Sequence, residues 1–270
     1  MKTLLSALAL LATTFGSSAQ TPAAPAFRTT CNNNAWTQGR AIKQFCETRD
    51  FTLTALTGQP LTVDGGPNGG IAVRGWDGPD VRVRARVQAW GDNEAKAAAR
   101  AHRISISTSN NKLSAADPEK DQDWSVSYEI LVPRTTALAL HTINGGISLE
   151  NLQAAIRFDA VNGGVTLVNL GGNVRGETTN GGLTIALAGQ QWQGQGLDVS
   201  TTNGGIHWQL PRAYSARLFT STNMGSIRTD LPVTKEGMFH QEVIASLGQG
   251  GAPVKAVTTN GGIRMVREGE

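Results

Sequence analysis

Two carboxylates, Asp159 and Glu177, are the residues of this sequence best placed for acid–base chemistry, because they occupy equivalent positions in a repeated pattern. Neighbouring carboxylates could cleave an acidic polysaccharide, helped by calcium and a basic residue. Arg157 and Arg175 stand two positions earlier and carry the opposite charge. This pattern favours a solvated face with balanced charges, and we predict no catalytic residue here.

Metal-binding and nucleophilic motifs are absent from the sequence. The four histidines, at positions 102, 141, 207 and 240, are scattered and lack the spacing of a zinc site. The sequence contains no Gly-x-Ser-x-Gly elbow, no His-Glu-x-x-His helix and no phosphate-binding loop. We therefore predict a non-enzymatic protein with neither a metal site nor a cofactor.

Arginines form a stripe in the segment "VRVRARVQAW" at positions 81–90. Arg82, Arg84 and Arg86 alternate with apolar residues, so they share one face of a predicted strand, and Arg74 could lie near them. This stripe is our candidate site for an anionic glycan, a lipid headgroup or a partner protein. Exposed arginines also protect a sheet edge from unwanted pairing, and that alternative stays open.

The first 19 residues have the features of a secretory signal peptide: Lys2, a short apolar run and small residues at 17 and 19. Residues 20–30 are expected to form a flexible lead-in. Cys31 and Cys46 are the only cysteines, and in an exported protein they are expected to form a disulfide, which could contribute roughly 3 kcal/mol. We predict a location in the periplasm, on the cell surface or in the medium.

The overall charge of the chain excludes few classes of function. The chain has 24 Lys and Arg against 21 Asp and Glu, and removal of Lys2 leaves a net charge of +2. This charge is too small and too scattered to indicate nucleic-acid binding. No later segment is apolar enough for a transmembrane span.

An Asn-Gly-Gly turn recurs along the chain. Aliphatic residues lie six positions before every turn except that of Asn68 and three positions after every turn. The flanking positions alternate between apolar and polar residues, which predicts strands on both sides. Asn and Gly suit such turns because both tolerate positive φ. The turn residues are Asn68, Asn144, Asn162, Asn180, Asn203 and Asn260, with a degenerate copy at Met224.

The repeat predicts an all-β fold, and we favour a β-solenoid whose coils of about 18 residues stack about 4.8 Å apart. The alternative is an antiparallel stack of β-hairpins, since Asn-Gly is also a hairpin signal. The last step of the repeat, 36 residues, predicts one coil without the motif near Glu242. Asn68 is expected to mark a first, irregular coil, because Leu61 and Val63 before it have the opposite phase.

Residues 31–136 are predicted to be an N-terminal part that holds the disulfide, further strands and a short helix. The helix lies in "DNEAKAAARAHR", with Asp92 as the expected N-cap. The helix and the disulfide segment are candidates to cover the end of the stack. Residues 137–270 form the regular repeat part, and we expect both parts to make one continuous domain.

The signal peptide, the early cysteine pair, "GPNGGIAVRGWD", the strand at 81–90 and the Asn-Gly-Gly series together resemble the bacterial putative-adhesin family. The resemblance implies a solenoid-like protein that is secreted or held at the cell envelope, with an envelope or glycan partner of unknown identity. It implies no catalytic residues. We therefore expect a structural or adhesin-like binding module, with a polysaccharide-active enzyme and an envelope-stress or signalling partner as alternatives.

Overall fold

The structure, a computed structural model, describes residues 23–31, 42–54, 58–233 and 240–267. The expected signal peptide lies outside these ranges. The described chain is mostly β, with one α-helix, α1 (Glu94–Arg103), and a short 3₁₀ turn at Ser109–Asn111. The strands are β1 (Lys43–Leu53), β2 (Leu61–Asp64), β3 (Ile71–Trp76), β4 (Val81–Gly91), β5 (Ser105–Ser107), β6 (Lys112–Ala116), β7 (Trp124–Pro133), β8 (Leu138–Thr142), β9 (Ile147–Glu150), β10 (Gln153–Ala160), β11 (Val165–Val168), β12 (Gly171–Asn180), β13 (Leu183–Ala186), β14 (Gly196–Asn203), β15 (Ile206–Leu210), β16 (Ala216–Met224), β17 (Ile227–Thr229), β18 (Gln241–Leu247), β19 (Pro253–Asn260) and β20 (Ile263–Arg267).

The strands form two ten-stranded sheets. Sheet 1 has the order β1-β4-β7-β3-β9-β11-β13-β15-β20-β17, and sheet 2 has the order β18-β16-β19-β14-β12-β10-β8-β2-β6-β5. Most neighbouring strands are parallel. Among the described strands, only the pairs β1–β4, β4–β7, β5–β6 and β16–β18 are antiparallel.

Each repeat contributes one strand to each sheet. The strand before the Asn-Gly-Gly turn lies in sheet 2, as β10 does, and the strand after it lies in sheet 1, as β11 does. Equivalent residues of successive repeats are directly paired, for example Ile156 with Val174 and Val165 with Leu183. This pairing is parallel, whereas the hairpin stack requires antiparallel pairing, so that alternative is wrong for the repeat part.

The predicted inward positions fill the core between the sheets. Apart from the irregular turn of Asn68, all twelve aliphatic residues six before and three after the turns are buried. Trp208 of sheet 1 donates its indole N–H to the Thr220 hydroxyl of sheet 2 at 3.4 Å. Where Phe158 projects inward, its paired neighbour in β12 is Gly176, and a Cβ there would lie 2.5 Å from the Phe158 ring.

The turn glycines are required for a different reason from the one expected. In each turn the first glycine packs against the first glycine of the neighbouring repeat, so a Cβ on Gly163 would lie 2.0 Å from the Gly145 carbonyl oxygen. None of the described Asn-Gly-Gly turns uses positive φ. Positive φ occurs instead at Asn151 and Asn169, in the second turn of their units.

Two side-chain ladders tie successive repeats together. Each turn asparagine donates its amide to the preceding one, as Asn162 does to Asn144 at 2.8 Å. Below this exposed ladder, buried threonines two residues before the turn donate to the first glycine carbonyl of the neighbouring repeat. These bonds are Thr142 to Gly69, Thr178 to Gly163, Thr201 to Gly181, Thr258 to Gly204 and Thr222 to Gly261.

The repeats do not stack in chain order at their C-terminal end. Strand β19 pairs with β14 on one side and β16 on the other, so the last repeat lies between the two that precede it. The coil predicted near Glu242 is therefore wrong. Glu242 lies in β18, which pairs antiparallel with β16 and forms the edge of sheet 2.

The opposite phase before Asn68 has a simple cause. Leu61 pairs with Leu138, although it lies seven residues before its turn asparagine and Leu138 lies six before Asn144. The segment Gly65–Pro67 therefore holds one extra residue, and Leu61 and Val63 stay buried despite their phase.

Helix α1 packs its buried Ala97 and Ala101 near the other end of the sheets, where it contacts β4 and β1. Its N-cap is Asn93 rather than the expected Asp92, because the Asn93 side chain accepts the Lys96 backbone N–H at 2.9 Å. At the C-terminal end of the helix, Arg49 of β1 donates to the Ala101 carbonyl at 2.8 Å. This carbonyl, which also accepts the Ile104 backbone N–H at 3.1 Å, thus gains a cation, as a helix C-terminus prefers.

Candidate functional site

The arginine stripe lies on the outer face of sheet 1. Arg82, Arg84 and Arg86 project from β4, while the alternating valines and alanines of that strand are buried. Arg74 lies on β3, with β7 between the two strands. The predicted common face is therefore present, and all four arginines are at one end of sheet 1.

Arg84 is fully engaged within the molecule. It donates to both carboxylate oxygens of Asp50 on β1, at 2.8 and 2.7 Å. It also donates to the Thr29 carbonyl at 3.1 Å and stacks 4.7 Å from the Phe27 ring centroid. The hydrogen bond from Arg84 lowers the pKa of Asp50, and attraction by Arg84 and Arg82 adds to this effect.

The N-terminal segment (residues 23–31), expected as part of a flexible lead-in, is held across this face. Glu129 of β7 accepts the backbone N–H groups of Arg28 and Thr29, with its closest contact at 2.7 Å. Arg74 donates to the Ala26 carbonyl at 2.8 Å and lies 3.6 Å from Glu129. The segment thus occupies part of the arginine stripe.

Arg82 and Arg86 stay available on the same strand. Among the described residues neither side chain has an ion pair or a hydrogen bond, and both are partly exposed. The Arg86 Nε atom is buried without a partner. The stripe therefore divides into two engaged arginines, Arg74 and Arg84, and two that could hold an external anion.

Asp159 and Glu177 are paired neighbours on β10 and β12, as their equivalent positions indicated. Both are exposed on the outer face of sheet 2, and Asp159 lies 3.6 Å from His141. Arg157 and Arg175 form the adjacent pair in the same register. No ion pair joins these arginines to the carboxylates in the described structure, so the charges are not neutralised by direct contact.

The cysteine pair is joined as predicted, with a disulfide between Cys31 and Cys46. The bond links the end of the N-terminal segment to β1, the edge strand of sheet 1. Cys46 lies opposite Gln88 in the register of β1 and β4, directly beside the arginine stripe. The disulfide therefore restrains the segment that covers Arg74 and Arg84.

Metal-binding groups are not assembled in the described ranges, where no three residues among His, Cys, Asp and Glu are grouped to hold an ion. His207 lies 3.4 Å from Gln209, and His240 lies 2.8 Å from Asn223. Among the helices that the structure describes, none has the length and apolar character to span a bilayer.

Two features of the site were not predicted from the sequence. Nothing in residues 23–31 indicated that their backbone would bind Glu129, since this contact joins positions about a hundred residues apart. Arg157 and Arg175 lack side-chain partners among the described residues, and this feature also depends on side-chain geometry. Their in-register pairing could have been read from the 18-residue repeat, which places them at equivalent offsets.

Comparison with known proteins finds distant structural similarity alone. No protein-family model matches the sequence, and no curated protein matches it. A putative cell adhesion protein from Clostridium sporogenes is 10% identical, with 82% of this chain and 100% of that chain covered and a TM-score of 0.42. A putative adhesin from Bacteroides fragilis is 12% identical, with 83% and 97% covered and a TM-score of 0.38. A putative lipid binding protein from Parabacteroides distasonis is 10% identical, with 82% and 96% covered and a TM-score of 0.34.

Proposed function

We propose that this protein is a non-enzymatic, exported binding module of the bacterial cell envelope, built as a β-solenoid. In-register parallel pairing between repeats and the asparagine ladder support the solenoid description. The Cys31–Cys46 disulfide supports export, because disulfides persist in oxidising compartments. Residues 31–136 and 137–270 would then be the end part and the regular part of one continuous domain.

The observation that carries a binding role is the pair of arginines on β4 whose side chains make no hydrogen bond or ion pair with the described residues. Arg82 and Arg86 flank Arg84, whose guanidinium is neutralised by Asp50. A guanidinium binds carboxylate, sulfate or phosphate groups through paired hydrogen bonds. Two such groups on one strand, four residues apart, suit a polyanion such as an acidic glycan.

Heparin affinity chromatography tests this function. The variant Arg82→Gln, Arg86→Gln should elute at a clearly lower salt concentration than the wild type, because each lost cation removes a salt-sensitive contact. The control is Arg228→Gln, Arg264→Gln, which removes the same charge from exposed positions near the opposite edge of sheet 1. This control should elute close to the wild type.

Equal shifts for both variants would show that retention follows net charge alone and would contradict the stripe. Activity assays test the non-enzymatic part of the proposal separately. Incubation with acidic polysaccharides should release no oligosaccharides. Cleavage that is lost in Asp159→Asn, Glu177→Gln would establish the enzyme alternative instead.

A further inference from the structure

The outer face of sheet 2 carries a cleft with separated charges. We define the mixed-charge cleft by four residues of β10 and β12: Arg157, Asp159, Arg175 and Glu177. The open space between them is about 290 Å³, its floor is the β10 and β12 backbone, and Asp198 and Ser200 of β14 complete its lining. This cleft lies on a different sheet from the arginine stripe.

The charges of this cleft are arranged in two rows. The two arginines face each other across neighbouring strands, and the two carboxylates do the same two residues further along. Neighbouring strands are about 4.8 Å apart, and two residues along a strand span about 6.6 Å. A positive row and a negative row therefore lie side by side, at a spacing that the two charged ends of one small molecule can bridge.

The two like-charge pairs of this cleft are unfavourable without a ligand. Like charges directly opposite each other on adjacent strands destabilise a sheet. In the described structure neither Arg157, Arg175 nor Glu177 has an ion pair or a hydrogen bond from its side chain. Asp198 of β14 lies opposite Arg175 in the register, but its carboxylate is paired with Lys255 at 3.3 Å and makes no ion pair with Arg175 in the described structure.

We propose that the mixed-charge cleft binds a small zwitterion that carries a phosphate and a primary ammonium group, such as phosphoethanolamine. The two guanidinium groups hold the phosphate through charge-assisted hydrogen bonds, and the ammonium lies between the two carboxylates. A simple anion binds more weakly, because Asp159 and Glu177 repel it. The same chemistry occurs in a free metabolite and in a lipid headgroup.

Titration calorimetry with O-phosphoethanolamine, inorganic phosphate and ethanolamine tests the proposal. Wild-type protein should bind phosphoethanolamine at least about tenfold more tightly than either fragment, which corresponds to one charge-assisted contact. Arg157→Gln, Arg175→Gln should weaken binding of phosphoethanolamine by about tenfold or more. Asp159→Asn, Glu177→Gln should abolish the preference, so that inorganic phosphate binds as tightly as phosphoethanolamine. All four positions are on the outer face of the sheet, so these variants should fold.

Vesicle sedimentation distinguishes the two sources of the ligand. Binding to phosphatidylethanolamine vesicles over phosphatidylglycerol vesicles would identify a lipid headgroup, and binding to free phosphoethanolamine alone would identify a soluble ligand. A preference of the wild type for inorganic phosphate or for phosphatidylglycerol would overturn the proposal. Arg82→Gln, Arg86→Gln should leave this binding unchanged, so failure here is distinguishable from failure of the arginine-stripe function.

Discussion

The two glycines of each turn have different roles at the scale of single residues. The first one touches the backbone of the neighbouring repeat, and it is kept even in the degenerate turn, as Gly225. The second has more room, since the atom nearest to a Cβ on Gly164 would be 3.6 Å away. In the degenerate turn this second position is Ser226. Close approach of two backbone segments, rather than backbone conformation, therefore explains why the first position is glycine.

Replacing each of these two glycines with alanine should separate their two roles. Gly163→Ala should lower the free energy of unfolding by about 2 to 3 kcal/mol, because its Cβ meets the Gly145 carbonyl. Gly164→Ala should change it by less than about 0.5 kcal/mol. Urea unfolding measures both, and equal losses would show that the packing argument is wrong.

At the scale of the structural element, one buried threonine hydroxyl adds to the backbone pairing between neighbouring repeats. The exception is the repeat of Asn162, where Ala160 takes the threonine position and is fully buried. The Gly145 carbonyl therefore receives no hydroxyl of this kind. The chain thus offers a site where the missing hydrogen bond can be added.

Ala160→Thr should add that bond, whereas Ala160→Val adds nearly the same volume without a donor. Because a net hydrogen bond stabilises by about 1 kcal/mol, the threonine variant should be more stable than the valine variant by that amount. Thermal and urea unfolding provide the comparison. If the two variants are equally stable, the threonine bonds contribute nothing measurable to the stack.

The strands of the repeat show how much of the fold could be predicted from the sequence. Periodicity placed Leu138, Ile147 and their equivalents in the core, since alternation fixes which side of a strand is buried. Periodicity could not show which repeats lie next to each other, because repeats with equal offsets are interchangeable. For that reason the sequence pattern predicts the wrong neighbours for β18 and β19, although it predicts the strands themselves.

The candidate sites were predictable to different degrees. The common face of Arg82, Arg84 and Arg86 follows directly from alternation along one strand. The neutralisation of Arg84 does not, because Asp50 comes from another strand and Phe27 from the N-terminal segment. Which arginines stay available is decided by such long-range contacts, and sequence spacing does not contain them.

At the scale of the whole molecule, the spatial order of the repeats decides which charged groups meet on the outer faces. The same in-register pairing that joins Arg157 to Arg175 also inserts the last repeat between β14 and β16. The mixed-charge cleft is assigned from this pairing, whereas the arginine stripe follows from alternation along β4. A stack in simple chain order would pair β14 with β16 and leave β19 at the end.

Disulfide cross-linking of exposed positions tests this central claim most directly. Thr202 and Thr259 lie beside each other in adjacent strands, whereas Asn223 is one strand further from Thr202, roughly 9 to 10 Å away. Mild oxidation of Thr202→Cys, Thr259→Cys should form a second disulfide, detected by mass spectrometry, since paired neighbours are within bonding distance. Thr202→Cys, Asn223→Cys should stay reduced. A disulfide in the second variant and none in the first would contradict the inserted, in-register stack.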